Sequence, residues 1–560
     1  MVELRNSRIL AHLQNKTADF EERVALGIKG QYGWEEFTYK GLGLLSRKIA
    51  RYLIEDVGIK KGECLAILSE SKPEYGACVF ASVLAGTTTV PLDIKLSIYE
   101  LKSILSDCLP TVLFASQHYL STALELQKLI PEIKYIYVID EHTENANVQN
   151  IYDFPDKYDG KWRQRSSKST AFIIYTSGTT GAPKGVEISF QNVNAQLVDL
   201  MEVVDIILPK GQKINMLSIL PMNHLFEMTV GFSTFLNSGF SVYYTSSFKP
   251  KDITGVMREK GIQFMIAVPA FLKLLKAGIE KELSSAPKIM QIAFKIMYFI
   301  AQFIPSYKMR RKLFKKVHQS WGGKFFGCIS GGAPLDVEVG KFFERIGIRV
   351  YQGYGLSETS PVVSVNYDKR GELASVGHPL RHFEAKIDES TGELWLRGPS
   401  VMKGYHNQPE MTAEVIDQDG WLHTGDIAKI DKDGHIYITG RIKNMIVLQG
   451  GKKVFPEEVE AVLENSHYIS EVCVLGISRS FGAKDGAEEV TAVIVPKPEM
   501  YNTYSEDDID RMIKLDVKTL SQQLAPYKRP TAVVISKDAL PKTTTLKVKR
   551  KEVQKNLLMV

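Results

Sequence analysis

Residues 171–186 read Ala-Phe-Ile-Ile-Tyr-Thr-Ser-Gly-Thr-Thr-Gly-Ala-Pro-Lys-Gly-Val. The apolar run 171–175 has the texture of a buried strand. It empties into a loop of hydroxyls and glycines that closes on Lys184. Gly178 and Gly181 let the backbone come close to an anion. Successive N–H groups and the hydroxyls of Thr176, Ser177, Thr179 and Thr180 can donate to phosphate oxygens, and Lys184 adds charge. The spacing is not that of the common P-loop, whose lysine directly follows a glycine and precedes Ser or Thr. Here Lys184 stands three residues after Gly181 and is followed by Gly185. The stretch predicts a phosphate cradle of another lineage.

Outward from that loop, further blocks follow in order. They are Leu-Pro-Met-Asn-His at 220–224, Ser-Gly-Gly-Ala-Pro-Leu at 330–335 and Tyr-Gly-Leu-Ser-Glu-Thr-Ser-Pro-Val at 354–362. Then come Gly-Glu-Leu-Trp-Leu-Arg-Gly-Pro at 392–399, Gly-Trp-Leu-His-Thr-Gly-Asp at 420–426, Gly-Arg-Ile-Lys-Asn at 440–444 and Leu-Pro-Lys-Thr-Thr-Thr-Leu-Lys at 540–547. Together they resemble the adenylate-forming superfamily of acyl-CoA synthetases, adenylation domains and luciferases. The wording of 354–362 and of Asn-His-Leu-Phe-Glu at 223–227 is most similar to the long-chain fatty acyl-CoA synthetases.

Composition agrees with a globular chain. Of 560 residues, 44% are hydrophobic and 24% charged, too many residues for one ordinary core. A net charge of +6 is too small at this size to argue for nucleic acid. Cys64, Cys78, Cys108, Cys328 and Cys473 are far apart, without a metal-like pair, and read as apolar residues of a reducing compartment. No secretory segment opens the chain, so a cytoplasmic location is expected, with peripheral contact to the inner face of a membrane as an extension. Helix-like 42–53 and 75–85 alternate with strand-like 64–68 and 88–92, and the rhythm recurs at 216–220, 264–268 and 326–329, which predicts an α/β fold of parallel layers. Past Gly420 the pattern changes to a hairpin, 427–430 with 435–439, and a compact α+β unit whose helix starts at Pro456. The resemblance implies a large N-terminal domain of layered α/β subdomains, residues 1–440, and a small mobile α+β C-terminal domain, residues 441–560.

The chemistry that the resemblance implies joins a carboxylate to the α-phosphate of ATP. Both reactants are anionic, so cations and oriented donors are needed rather than a strong base. The resemblance assigns Lys547 to the first half-reaction as a point charge bridging carboxylate and phosphate. Glu358 is the carboxylate for Mg2+, with Thr176 beside it. Tyr354 offers a face to adenine, and Gly332, Ala333 and Pro334 a flat wall, with Gly355 and Ser357 completing that side. Asp426 suits the two ribose hydroxyls, with Arg441 nearby. His224 is placed near the acyl carbonyl, and Lys443 at the hinge. Departures from the family pattern are Phe190, Ser357, Asn444, Lys452-Lys453 and Leu546.

Residues 284–323 form a basic amphipathic insert. The apolar run 289–304 carries a polar stripe of Lys288, Gln291, Lys295, Tyr298 and Gln302, and a basic run follows from Lys308 to Lys316. Two arrangements fit: a helix packed in the core, or an in-plane membrane helix with contact through 289–316. The expected function is ATP-dependent activation of a long-chain fatty acid through an acyl-adenylate, then thioester formation with coenzyme A, releasing AMP and pyrophosphate. An acyl carrier protein, through its phosphopantetheine, is the alternative acceptor, with Lys452, Lys453, Arg479 and Lys484 as its basic contacts. A non-catalytic lipid- or nucleotide-binding scaffold is the rival of a different class.

Overall fold

The computed structural model describes residues 22–30, 33–140, 148–160, 162–176, 183–209, 211–245, 247, 249–368, 372–448, 452–478, 488–543 and 547–558. The chain divides into two compact units, Met1–Glu384 with Leu396–Leu422, and Ala385–Trp395 with His423–Val560. That division of compactness falls upstream of residue 441.

The larger unit holds two sheets. One runs Gly404–Tyr405, Lys184–Ser189, Thr170–Thr176, Thr88–Pro91, Cys64–Leu68, Val112–Ala115 and Tyr135–Val138 in spatial order. Its strands are parallel from Thr170–Thr176 to Tyr135–Val138, and antiparallel at the other edge. The second sheet has nine strands, with a parallel centre that includes Asn215–Ser218, Phe264–Ala267, Gly327–Ser330 and Arg349–Tyr354. The layered α/β reading of the sequence is met, and Cys64–Leu68 forms as expected. The antiparallel edges were not foreseen: segments 184–189, 404–405 and 364–365 occupy them. All five cysteines are free thiols.

Helix Phe190–Ile207 shows how sequence fixes position. Ser189 accepts from the Asn192 N–H while the Asn192 side chain accepts from Ser189, a reciprocal cap that sets the first turn. The same Asn192 amide donates to the carbonyls of Pro399 (2.8 Å) and Val401 (2.7 Å). One turn on, buried Gln196 accepts from the Val362 N–H at 2.8 Å. Two buried amides therefore tie the helix to the backbone of two distant motif segments.

The smaller unit carries a four-stranded sheet, Glu384–Ile387, Glu393–Arg397, Leu422–Ile430 and Ile436–Arg441. A three-stranded sheet, Ile469–Ser478, Glu488–Pro496 and Ala532–Ile535, packs with helices Pro456–Leu463 and Glu506–Leu520 around Val459, Leu463, Val474, Ile494, Ile509 and Ile513. This matches the α+β texture read past residue 420.

The insert forms helix Lys288–Ala301, followed by Tyr307–Leu313 and Lys315–Ser320. Of the two arrangements considered, core packing is not what forms, since only Ala301 of the first helix is buried. Gln291 and Tyr298, read as part of a polar stripe, face inward instead. Gln291 donates to the carbonyls of Ser284 and Ala286, and Tyr298 lies under Arg345.

Changing Asn192 to Ala strips two half-buried carbonyls of this donor and removes a cap. We expect a loss on the order of 3 kcal/mol, read as a lower urea midpoint. An unchanged midpoint would show that 399–401 is held by other means.

Candidate functional site

In the larger unit, strand Thr170–Thr176 is buried through Ile174 and emerges at Tyr175 and Thr176, so burial ends where the hydroxyl loop begins. Thr176 and Lys184 are cross-strand partners and bring the loop ends face to face. Ser177, Gly178, Thr179, Thr180 and Gly181 lie outside the described residues.

Lys184 stands 5.4 Å from the ring centroid of Tyr405, whose hydroxyl donates to Glu358 Oε1 at 2.9 Å. Tyr405 thereby links the lysine of the loop to the expected metal carboxylate, 174 residues further on. Burial, then the Glu358 charge, hold its phenol protonated well above the usual range. Glu358 sits on the short turn Ser357–Thr359, and its own carbonyl accepts from the Met402 N–H at 2.8 Å. Gly355 has no alternative there, since a Cβ would stand 1.8 Å from the Pro361 carbonyl oxygen.

Strand Gly404–Tyr405 is fastened by Glu187. Its carboxylate accepts from Thr170 (2.8 Å) and Lys403 (2.7 Å) and bonds His406 Nδ1 (2.7 Å). Burial alone would raise its pKa, but the bonds from His406, Lys403 and Thr170 outweigh it and bring Glu187 down to about 2. The same bond raises His406. Sequence reasoning missed Tyr405, Glu187 and His406. Their signal was the unused stretch Lys403-Gly-Tyr-His406, just past the 392–399 block.

His224 is half-buried at the entrance to the π-helix Glu227–Thr234, its carbonyl accepting from the Met228 N–H. Beneath it Glu227 is fully buried, bonded by Ser218 and by Tyr244 at 3.0 Å. Burial pushes Glu227 up to about 7 against those bonds. A Cβ on Gly231 would meet both Glu227 oxygens at 2.3 Å, so this glycine makes the room. Gly331 likewise admits the Phe226 ring, joining the 330–335 and 223–227 blocks. Gly332 takes a φ of +81°, and Gly332 and Pro334 are exposed beside half-buried Ala333. Tyr354 ends its strand half-buried.

The smaller unit collects the other expected residues. Asp426 and Arg441 are cross-strand partners, and Arg441 Nε and Nη2 meet Asp426 Oδ1 and Oδ2 at 2.5 and 3.4 Å. The approach to Asp426 is set by Thr424 bonding the Leu394 carbonyl and by His423 stacking on Trp395 at 4.0 Å. Lys547 closes a turn in which it exchanges bonds with Thr543, above a bridge between Lys542 and Val548. Its side chain is exposed yet crowded. That crowding, then Arg441 and Lys443, lower its pKa against the pull of Asp426. Asp426, Arg441, Lys443 and Lys547, spread over 122 positions, thus share one field. Leu546 lies outside the described residues. Asn444 donates to Glu457 at 2.7 Å, a bond that an acid at 444 could not make. Of the basic residues considered for a carrier protein, Lys452 and Lys453 are exposed, and Arg479 and Lys484 lie outside the described residues.

The profile of AMP-binding enzymes matches residues 13–406, and that of the AMP-binding enzyme C-terminal domain matches 458–547. The chain belongs to the AMP-binding enzyme family. Among its relatives is the long-chain-fatty-acid–CoA ligase FadD15 of Mycobacterium bovis, 28% identical over 93% of this chain and 90% of that protein. A long-chain-fatty-acid–CoA ligase of Escherichia coli is 27% identical over the same shares. The fold matches ATP-bound MatB from Rhodopseudomonas palustris with a TM-score of 0.77 at 24% identity, covering 99% of each chain.

An AMP-binding enzyme handles an adenine nucleotide, and the residues present suit the Mg2+ that accompanies one. Glu358 Oε2 makes no hydrogen bond among the described residues, and it is a hard oxygen donor near Lys184. Magnesium takes one or two carboxylates and fills its shell with water and phosphate, so Glu358 with Thr176 would hold it. Once bound, it would neutralise phosphate charge.

Tyr405→Phe releases the Glu358 carboxylate from its only donor among the described residues. An activity loss on the order of ten-fold at limiting ATP is expected, with the melting temperature unchanged. Loss at saturating ATP alone would remove Tyr405 from the nucleotide side.

The pH dependence of stability tests the Glu187 clamp. Glu187 is lowered, so its contribution is full above pH 4.5 and is lost as pH falls toward 2. His406 is raised, so its contribution is full below 6.5 and is lost as pH rises through its folded value. Glu187→Gln should flatten the acid limb by on the order of 3 kcal/mol. Parallel acid limbs for both proteins would rule the clamp out.

Proposed function

We propose that this AMP-binding enzyme activates a long-chain fatty acid with ATP as an acyl-adenylate and passes the acyl group to coenzyme A. The observation behind the acyl part is a set of apolar side chains in the larger unit that closes on a cavity of about 10 Å³, so an acyl chain would enter by parting them. Leu200, Val203, Val204, Phe226, Val230, Ile329 and Val362 line it, with Thr234 as its one hydroxyl. It is walled by helix Phe190–Ile207 and the π-helix, and Phe226 is two residues from His224. A chain of methylenes suits such a lining, and a charged or hydrogen-bonding acid does not. The relatives named as long-chain ligases support the same substrate class and the CoA acceptor.

In this reading, Lys184 and the loop donors take the β- and γ-phosphates while Glu358 and Thr176 hold the metal. Asp426, oriented by Arg441, accepts from the ribose hydroxyls. Lys547 places one positive charge where charge builds between the carboxylate and the α-phosphate, as the bond to pyrophosphate breaks and the acyl–phosphate bond forms. His224 orients the acyl carboxylate. The thiolate then attacks the acyl carbonyl and AMP leaves with the bonding pair. Alignment and exclusion of water are the main demands of that step, because the anhydride is already a good electrophile. Lys443 is assigned to the hinge between the two steps, with residues 441–560 as the moving domain.

Pyrophosphate release across acids of increasing length, with CoA and acyl carrier protein compared as acceptors, tests substrate and acceptor together. Release should grow with chain length and thioester should form on CoA. A preference for short or aromatic acids would refute the long-chain assignment, product on the carrier protein would transfer the acceptor role to it, and no release with any acid would favour the non-catalytic scaffold. Lys547→Ala should cut adenylate formation by roughly 10²–10³-fold, yet largely spare thioester formation from supplied acyl-adenylate. Equal losses in both steps would reassign the lysine to folding.

A further inference from the structure

Helix Lys288–Ala301 and the turn after it present one unpartnered apolar stripe. Ile289, Ile292, Ile296, Phe299 and Phe303 recur at steps of 3, 4, 3 and 4 and are 81%, 58%, 53%, 63% and 70% exposed. The spacing puts them on one side of the helix. The opposite side holds the helix down: Phe294 meets Phe314 edge-on at 5.3 Å, Tyr298 packs on Phe342, and Ala301 is buried. Apolar patches of this kind on a globular surface mark an interaction site.

The charge around the stripe selects the partner. From residue 283 to residue 335 there are nine basic residues and no acid, against +6 for the whole chain. Arg310 and Arg311 turn inward, onto the carbonyls of Ile304, Glu344 and Gly323. Lys288, Lys295, Lys308, Lys312, Lys315 and Lys316 stay exposed, and among the described residues none has an acid partner. A second copy of the chain would set this positive surface against itself. At 14 residues, about 21 Å, the helix is too short to span a bilayer, and no helix of the described residues is long and apolar enough to cross one.

We infer that residues 288–316 dock the protein in-plane on an anionic lipid bilayer, with the Ile289–Phe303 stripe in the acyl boundary and the lysines on the headgroup phosphates. The inference does not rest on the substrate reading, and its test needs no turnover. The full chain is sedimented with vesicles of phosphatidylcholine, with and without phosphatidylglycerol. It should pellet only with the anionic vesicles and be released by salt. The triple variant Ile292→Ser, Phe299→Ser, Phe303→Ser should stay in the supernatant with an unchanged melting temperature. Replacing Lys308, Lys312, Lys315 and Lys316 by Gln should weaken binding more than roughly a hundred-fold.

Equal pelleting with neutral vesicles, or none with either, would overturn the inference. So would a triple variant that melts many degrees lower, which would mean that the stripe is packed within the protein. A dimer that the triple variant converts to monomer, without vesicle binding, would reassign the face to a second copy.

Discussion

Glu187 is the fixed point of the larger unit's chemistry. It lies on the strand that Lys184 opens, and through Thr170, Lys403 and His406 it reaches the neighbouring strand on one side and the 403–406 segment on the other. A carboxylate brought down to about 2 within the fold stays ionised across the physiological range, so the acid side of the clamp holds, while its His406 bond weakens as that imidazole loses its proton. Tyr405 takes its position from that clamp, and Lys184 and Glu358 are brought together by Tyr405. The two ends of the glycine and hydroxyl stretch, Thr176 and Lys184, are set by paired strands.

The smaller unit solves a different problem, which is to keep one lysine available within a basic segment. Lys542 pairs with Glu471, Lys549 with Glu552, and Arg550 with Glu460 and the Val474 carbonyl. Each of these cations is neutralised by an acid of its own unit, and the Arg550 fork pins the chain three residues after Lys547. Lys547 is left without a hydrogen bond or ion pair from its ammonium among the described residues. A segment that reads as a solvated basic tail is thus a set of anchors around one uncommitted charge.

Much of this was legible in the sequence, for a physical reason. Where a motif is contiguous, local backbone geometry and side-chain chemistry are specified together: the strand ending at Thr176 and the hairpin past Asp426 both follow from short stretches. What could not be read were the partners supplied by distant strands. Nothing near Glu358 announces Tyr405, and Glu187 looks like any polar residue of a half-buried strand until 403–406 is laid beside it. The insert was misread in a more instructive way. Its 3-4 periodicity was correct, but periodicity gives two faces without saying which is inward. Aromatic side chains with a polar edge, such as Tyr298 under Arg345, pack inward as readily as isoleucine does, so the polar stripe was the wrong guide.

The lowered pKa of Lys547 carries a further consequence. Arg441 and Lys443 act on Lys547 as like charges, and Asp426 acts on it as an opposite one. Asp426 is shared with Arg441, and its pull on Lys547 is outweighed. Desolvation, then repulsion from Arg441 and Lys443, lowers the affinity of Lys547 for its proton. In the proposed function, a transition state that concentrates charge between carboxylate and α-phosphate would gain most from these cations, because they are already in place and need not reorganise.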